Sequence, residues 1–230
     1  MRNKIVLLVS ILGFLTISLT AQEKDSTLVI SGQGGGNSFI SLNSVSLTAG
    51  YFEPSFGYLN SFFLPAARTS ERFGGSLVYG ANVSFDLPLN LGTRLGAWYF
   101  SDKVSGENGG SFNTFKISYT GLSLGAFYTY KKGIMGVNPY LGIDANYLMV
   151  QDKFDANDNL IKRSGNDLVW TPFVGINKVF NDKIVIGLEY GYVFGSYIQE
   201  LQMDPNAAIK KYEIPMDGSK IQFTIVYKFP

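Results

Sequence analysis

The sequence predicts an all-β protein, a closed antiparallel up-and-down transmembrane β-barrel of about eight strands. Three observations lead to this fold class. Apolar residues recur at every second position in eight segments, as in strands whose two faces meet different surroundings. The connections between these segments alternate between short and long, and aromatic residues lie near the segment ends.

Composition excludes several classes of function. The 230 residues contain no cysteine and no histidine, so disulfides, thiolate metal sites and histidine-based catalysis are ruled out. Lys and Arg number 19 against 18 Asp and Glu, and this net charge of +1 does not indicate a nucleic-acid partner. Glycine occurs 26 times and aromatic residues make up 15% of the chain, which is typical of strands joined by tight turns. We expect no cofactor and no resident metal.

The amino end has the layout of a secretory signal peptide over residues 1–21. Arg2 and Lys4 precede an apolar run over 5–19, and small and polar residues follow it. A single membrane-anchoring helix is the alternative. The run is, however, shorter than the roughly 20 residues that a spanning helix needs.

The rest of the chain divides into a lead-in and a barrel domain. Residues 22–43 include a glycine run without apolar periodicity, which predicts a flexible lead-in, although 27–30 could add a short strand. Residues 44–230 carry the alternating pattern and form the predicted barrel domain. A further strand in the lead-in or in the first long connection would raise the strand count towards ten.

Eight segments show the period of two: 44–52, 76–86, 91–99, 115–130, 138–150, 168–176, 184–196 and 220–229. The fourth segment changes phase, because its apolar residues are odd-numbered up to Tyr119 and even-numbered from Leu122. This change predicts a β-bulge near Thr120 and Gly121. In the sixth segment, Pro172 lacks a backbone donor and predicts a local bulge or distortion.

The connections alternate in length. The short ones, at 87–90, 131–136 and 181–183, are built from Pro, Gly, Asn and Asp. The long and mostly polar ones are 53–73, 102–111, 151–166 and 197–218. Short periplasmic turns and long extracellular loops are typical of bacterial outer-membrane barrels.

The two faces of the strands differ in size and charge, which decides their orientation. The apolar face is rich in Tyr and Phe and would overfill a small soluble barrel, so we place it outwards against lipid. The polar face is small and is placed inside, with these charged residues: Asp86, Arg94, Lys116, Asp144, Glu189, Lys220 and Lys228. Aromatic residues near the strand ends are expected to form girdles at headgroup depth, namely Tyr51, Tyr99, Phe180, Tyr190, Tyr227 and Phe229.

From residue 44 to Pro230 the sequence resembles small outer-membrane barrel proteins of the Bacteroidota type, similar in plan to the OmpA and OmpX group. The most specific element is the last segment, Ile221-Gln222-Phe223-Thr224-Ile225-Val226-Tyr227-Lys228-Phe229, which looks like the terminal aromatic strand of that family. Pro230 departs from the family pattern, which ends on the aromatic residue. The resemblance implies an outer-membrane location, insertion by the barrel-insertion machinery, and contact with outer-membrane lipids and lipopolysaccharide. The enzymes among such barrels use histidine, so we expect no enzymatic activity.

The interior charges allow two interpretations. An eight-stranded barrel is about wide enough for side chains alone, so paired charges filling the interior are favoured. We therefore expect Arg94 to lie within salt-bridge reach of Glu189, Asp144 or Asp86. The alternative is a gated path for ions or protons through Arg94, Asp144 and Glu189.

The predicted loops carry two candidate sites. Asp152, Asp155 and Asp158 suggest calcium ligands, but their spacing differs from an EF-hand, and a solvated acidic loop is favoured. Basic loop residues could meet lipopolysaccharide phosphates at the outer rim. These are Lys153, Lys162, Arg163, Lys210 and Lys211.

The sequence thus favours a structural or surface-interaction protein, a monomeric barrel that displays four extracellular loops to a possible surface partner. Two other functions stay open. One is a narrow channel or a transporter of small apolar compounds, and the other is an accessory barrel of a secretion system.

Overall fold

The strands of the protein close into a single antiparallel barrel. In the computed structural model, residues 41–66, 71–108, 111–130, 134–156, 159–201 and 210–229 are described. The barrel strands are β1 (Ser41–Pro54), β2 (Ser76–Asp86), β3 (Leu91–Asn108), β4 (Ser111–Thr129), β5 (Val137–Ala156), β6 (Asn159–Val179), β7 (Ile184–Val193) and β10 (Gly218–Lys228). Their order around the barrel is β1-β10-β7-β6-β5-β4-β3-β2, which confirms the predicted fold class.

Closure occurs between the first and last strands. β1 pairs with β10 from Ser44 opposite Lys228 to Pro54 opposite Gly218. A closed ladder has no unpaired edge, which matters in lipid because each unmatched backbone group there costs several kcal/mol. β1 begins at Ser41, three residues before its predicted start, and its pairing with β2 shifts register between Leu42 and Ser44.

The short turns lie at the same end of the barrel as the start of β1 and the end of β10. The β2–β3 turn is a single 3-10 turn, Pro88–Asn90, in which Leu89 and Asn90 adopt positive φ angles of 63° and 62°. Two successive residues with positive φ suit the twist of a tight hairpin. The β4–β5 turn contains Ile134–Gly136.

A broad apolar band surrounds the barrel. Along every barrel strand, the large side chains of this band alternate with residues that face inwards. The band residues are about half exposed and include Leu47, Tyr79, Leu95, Leu124, Ile143, Val174, Leu188 and Phe223. Such a surface is stable against hydrocarbon and unstable against water. No helix among the described residues is long and apolar enough to cross a membrane.

The predicted β-bulge in the fourth strand is wrong. The pairing of β4 with β3 and β5 runs through Thr120 and Gly121 without a shift. The apolar residues change phase because the surroundings change along the strand. Within the apolar band, even-numbered residues such as Leu124 face lipid. Beyond it, Phe115, Ile117 and Tyr119 point into an apolar interior while the outer face meets water.

Pro172 interrupts a ladder without displacing it. The β6–β7 pairing ends at Phe173 opposite Gly191 and resumes as a single bridge between Trp170 and Phe194 in the same register. The cause is the missing backbone donor of proline. On its other side, Pro172 remains opposite Ile143 of β5, and no bulge forms.

The long connections contain more regular structure than predicted. Most of 102–111 and 151–166 belongs to extensions of β3, β4, β5 and β6 beyond the apolar band. The last long connection holds a two-stranded sheet of β8 (Ser196–Leu201) and β9 (Lys210–Pro215). The first contains a π-helical turn, Leu59–Phe63, followed by a short α-helical turn, Leu64–Ala66. The predicted signal peptide (1–21) and strand at 27–30 lie outside the described residues, as does the lead-in up to residue 40.

Candidate functional site

The middle of the barrel interior holds one arginine between two carboxylates. Arg94 on β3 donates to Asp144 on β5, with Nε 2.9 Å from Oδ1 and Nη2 2.6 Å from Oδ2. It also donates to Glu189 on β7, with Nη1 2.7 Å from Oε2 and Nη2 3.1 Å from Oε1. The arginine fork therefore connects three strands across the interior, and both carboxylates that it binds were among the three named from the sequence.

A second buried cation balances this group. Lys220 on β10 is 3% exposed, lies 5.3 Å above the Trp98 ring, and lines a void of about 20 Å³ together with Asp144 and Glu189. Two positive and two negative groups thus share one level of the barrel. We call Arg94, Asp144, Glu189 and Lys220 the charge layer. Such a balanced set avoids the large cost of an unpaired buried charge.

Neutral groups complete the charge layer. Tyr140 donates to Glu189 Oε2 at 3.2 Å, and the Arg94 guanidinium lies 3.9 Å from the centroid of the Phe173 ring. Gly125 on β4 faces Asp144 so closely that a Cβ atom there would collide with the carboxylate. Absence of a side chain at this position is therefore what lets the carboxylate sit between strands.

On the side of the charge layer away from the short turns, a chain of hydrogen bonds between neutral side chains joins β3, β5 and β6. Trp98 Nε1 donates to Asn146 Oδ1 at 2.9 Å, and Asn146 Nδ2 donates to Thr171 Oγ1 at 3.1 Å. The Trp98 ring lies over Gly121, where a Cβ would collide with the indole. Large and small residues on adjacent strands therefore interlock and fill the section.

The outer half of the interior is apolar. We call this cluster the aromatic plug; its members, all buried, include Phe52, Phe56, Leu59, Leu64, Phe73, Phe100, Phe115, Ile117, Tyr119, Leu148, Val150, Val193, Tyr197, Ile214 and Met216. The Phe100 and Tyr119 rings stack with centroids 5.4 Å apart, and Phe52 meets Phe100 edge-on at 5.3 Å. Burial of so many rings is a large apolar contribution to stability.

The first long connection folds into this plug. Its helical turns bring Leu59 and Leu64 to 1% exposure, and Phe56 packs on Phe73 with centroids 4.7 Å apart. Asn60 fixes the segment by a two-way bond to the backbone of Phe73, in which its Nδ2 donates to the carbonyl and its Oδ1 accepts from the N–H, each at 2.9 Å. The segment therefore closes the outer end of the barrel.

The inner half of the interior, towards the short turns, is a polar cavity of about 310 Å³. Asp86 and Lys228 both line this cavity, and Arg94 bounds it on the side away from the short turns. From the turn end outwards, the interior thus runs from this lower cavity to the charge layer and then to the aromatic plug. Polar groups of the interior therefore lie at the level of the membrane, whereas the aromatic plug lies beyond it on the outer side.

Lys116 lies on the other face from the one predicted. It is even-numbered on β4, beyond the apolar band, where Phe115 and Ile117 point inwards and Lys116 points out. The physical reason is the reversal of environment described above, because the outer face there contacts water. The prediction of an interior Lys116 is wrong.

The predicted girdle residues all lie on the outer face. Tyr51, Tyr99 and Tyr190 stand at the outer edge of the apolar band and are each about half exposed. The hydroxyls of Tyr51 and Tyr99 donate to the Gly74 carbonyl at 2.9 Å and to Ser118 Oγ at 3.4 Å, and the Tyr190 hydroxyl lies 3.1 Å from Ser219 Oγ. At the turn end stand Phe180, Tyr227 and Phe229.

The acidic candidate site does not assemble. Asp152 points into the barrel and is 2% exposed, whereas Asp155 is exposed on the outer face of the same strand. Asp158 lies outside the described residues, and within the described ranges no three acidic side chains come together as cation ligands. Asp152 instead accepts a hydrogen bond from Gln199 of β8 and lies opposite Arg163 in the β5–β6 ladder. It is therefore a buried structural carboxylate, and the expectation of a solvated acidic loop is wrong at this residue.

Burial raises the pKa of Asp152 from 3.8 to about 6, and the charge of Arg163 opposes this rise. Because the folded state holds the proton more tightly, the resulting stability is complete below about pH 4 and is lost as the pH rises through 6. We therefore expect amide exchange in the outer β5–β6 hairpin, corrected for intrinsic rates, to be slower at pH 5 than at pH 7. Asp152→Asn should abolish this pH dependence. At pH 7 it should also slow the exchange by a factor equivalent to about 3 kcal/mol, the free energy that corresponds to the rise from 3.8 to about 6.

The control for this experiment is Asp155→Asn, which removes a carboxylate from the exposed face of the same strand. It should leave the pH dependence of the hairpin in place. Equal pH dependence in the wild type and in Asp152→Asn would contradict the assignment of the effect to Asp152.

Sequence reasoning missed several residues of the interior. Trp98, Asn146 and Thr171 carry no charge, and the pattern places them only on the polar or small face without partners. The helical turns at 59–66 are not predicted because the first connection lacks the period of two, although Phe56, Leu59 and Leu64 recur there at spacings of three and five. Those apolar residues are the signal that could have identified an inserted segment.

Comparisons with known proteins give likenesses of fold. The chain is similar to Neisserial surface protein A, with a TM-score of 0.49 and 12% identity over 83% of this chain and 99% of that one. It is also similar to a major outer membrane protein from Thermus thermophilus (TM-score 0.47, 13% identity, 81% and 99%) and to the E. coli Outer Membrane Protein W (TM-score 0.45, 17% identity, 82% and 98%). No protein-family model and no curated protein sequence matches the chain. The identities are too low for these likenesses to assign a role to any residue.

Proposed function

We propose that this protein is a non-enzymatic, integral outer-membrane barrel that holds structured extracellular elements at the cell surface, in a structural or surface-interaction role. The apolar band and the closed ladder support membrane insertion, because a barrel is the form of sheet that leaves no backbone group unpaired in lipid. The terminal strand, which ends at Tyr227-Lys228-Phe229, is the segment that the barrel-insertion machinery would recognise.

The observation that carries the proposal is the filled interior. A conducting barrel needs a continuous wet path, but the charge layer and the aromatic plug occupy the section above the lower cavity. Opening a path would require breaking the Arg94 ion pairs and withdrawing the inserted 59–66 segment. Transport of ions or small apolar compounds is for this reason the weaker candidate.

The parts of the protein beyond the apolar band consist largely of paired strands. The β3–β4 and β5–β6 hairpins continue as paired strands, and the β8–β9 hairpin packs beside β6, with Gln199 bonded to Asp152. Paired strands hold side chains in more precise positions than loops do. This favours a role in recognising a surface partner or the membrane.

Two measurements test this proposal together. The unboiled protein should fractionate with the outer membrane and migrate as a heat-modifiable band in SDS gels, because a folded barrel resists SDS until it is heated. Reconstituted in planar bilayers, the same protein should show no conductance steps. A soluble periplasmic protein would contradict the membrane assignment, and stable conductance steps would contradict the closed interior.

A further inference from the structure

Four lysines form one row across four adjacent strands. In the ladders, Lys103 of β3 lies opposite Lys116 of β4, Lys116 opposite Lys153 of β5, and Lys153 opposite Lys162 of β6. All four belong to the outward phase of their strands, as Tyr99 does on β3 and Leu168 on β6. We call Lys103, Lys116, Lys153 and Lys162 the lysine row.

The lysine row is costly for the protein alone. Directly opposite residues in a ladder have Cβ atoms about 5 Å apart, and like charges there repel. Within the described part of the chain, none of the four lysines forms an ion pair like those of Arg94. Asp155, the next outward residue after Lys153, and Glu71, which bonds the Ser105 backbone, are described carboxylates one outward position beyond the row. Two carboxylates beside four lysines leave a net positive charge for an external anion to neutralise.

The position of the lysine row relates it to the membrane. On each strand the lysine stands four or six residues beyond the last large apolar residue of the outer face: Tyr99, Leu122, Met149 and Leu168. The outward residues between them are all polar: Ser101, Ser118, Thr120, Gln151, Ser164 and Asn166. With tilted strands, this places the lysines about 10–15 Å beyond the apolar band.

That depth selects among membrane anions. The headgroup layer of a phospholipid is only about 5–8 Å thick, so its phosphates lie below the lysine row. A lipid with a large phosphorylated sugar headgroup reaches the level of the row, and hydroxyl and amide side chains line the way to it. Lysine ammonium groups bind phosphate as point charges, without a fixed angle, which suits a mobile lipid.

We propose that the lysine row binds the phosphorylated sugar headgroup of an outer-leaflet glycolipid, along the outer face of β3–β6. This inference rests on the proposed membrane insertion and adds a ligand to it. Of the basic residues first considered for lipopolysaccharide, Lys153 and Lys162 belong to the row, whereas Arg163 points to the inner side of β6 opposite Asp152. Lys116, which the sequence predicted to lie inside the barrel, is one of the two central residues of the lysine row.

The test uses the folded full-length barrel in neutral-lipid vesicles that contain either lipopolysaccharide or the same lipopolysaccharide stripped of phosphate. The variant is Lys116→Gln/Lys153→Gln. The control, Arg72→Gln, removes an exposed cation on the same side of the membrane but off the row. Binding to the phosphorylated lipid should weaken about 30-fold in the row variant and less than about twofold in the control.

Stability provides a second readout with opposite signs. In purely neutral vesicles at low salt, the row variant should unfold at a higher temperature than the wild type, because two repelling charges are gone. With phosphorylated lipopolysaccharide the order should reverse. Equal binding of stripped lipopolysaccharide, an equal loss in the control, or tight row-dependent binding of soluble polyphosphate without the lipid would overturn the proposal. Loss of heat-modifiable migration in every sample would instead show that the membrane-barrel proposal itself has failed.

Discussion

Replacing Arg94 with Met should destabilise the folded barrel by about 3–5 kcal/mol, the range for breaking a buried ion pair by removing one partner. The guanidinium binds Asp144 and Glu189 with four hydrogen bonds, and both carboxylates are at most 5% exposed. Without it, Lys220 alone faces two negative charges. Urea unfolding in vesicles, followed by the loss of the SDS-resistant band, would measure the change as a lower midpoint.

Two variants separate the ion pair from general effects of charge removal. Arg72→Met deletes an exposed arginine and should move the midpoint by less than about 0.5 kcal/mol. Arg94→Met/Asp144→Asn leaves Lys220 and Glu189 as one cation and one anion, and should recover part of the loss. An unchanged midpoint in Arg94→Met would mean that the charge layer does not stabilise the barrel.

The outer surface can be predicted because lipid imposes a simple rule on a strand. In β7 and β10 every second residue must be apolar, and the inward residues must be small or polar to fit a narrow interior. These two requirements act on each strand separately, so the period of two reports them without knowledge of the partners. The period locates the membrane-spanning parts of all eight barrel strands, and it predicts β2 with its observed ends.

The same rule fails where the strand leaves the membrane. In β4 the inward residues change from Gly125 and Ser123 to Tyr119, Ile117 and Phe115 without any irregularity of the backbone. A pattern of polarity records the difference between two faces, but not which face is which. The pattern alone therefore predicts a bulge and an interior Lys116, and both predictions are wrong for this one reason.

Contacts between interior side chains on different strands are harder to predict from the sequence. Arg94, Asp144 and Glu189 can be assigned to the interior by phase and charge, whereas the Trp98–Asn146–Thr171 chain depends on the register between strands. Register depends on hydrogen-bond pairing and turn geometry. The period of two along one strand does not show which residues of the neighbouring strand lie opposite. The lysine row is hidden from the sequence for the same reason, because its four members are separated along the chain and become neighbours only through the ladders.

The phase reversal of β4 has a direct test in two adjacent residues. Ile117 is fully buried and points into the aromatic plug, while Ser118 is on the outer face beside the lysine row. Ile117→Asp should destabilise the barrel by more than about 3 kcal/mol, because it puts an unpaired charge into an apolar core. Ser118→Asp should have little effect or stabilise slightly, since its carboxylate would meet Lys116 and solvent.

The comparison is informative because both variants introduce the same side chain on the same strand, one residue apart. A bulge at Thr120 and Gly121 would place Lys116 and Ser118 inside and Ile117 outside, so the order of the two effects would be inverted. Urea midpoints of the SDS-resistant band, measured in the same vesicles, distinguish the two cases. A larger loss for Ser118→Asp than for Ile117→Asp would contradict a continuous β4 and, with it, the outward placement of Lys116 on which the lysine row depends.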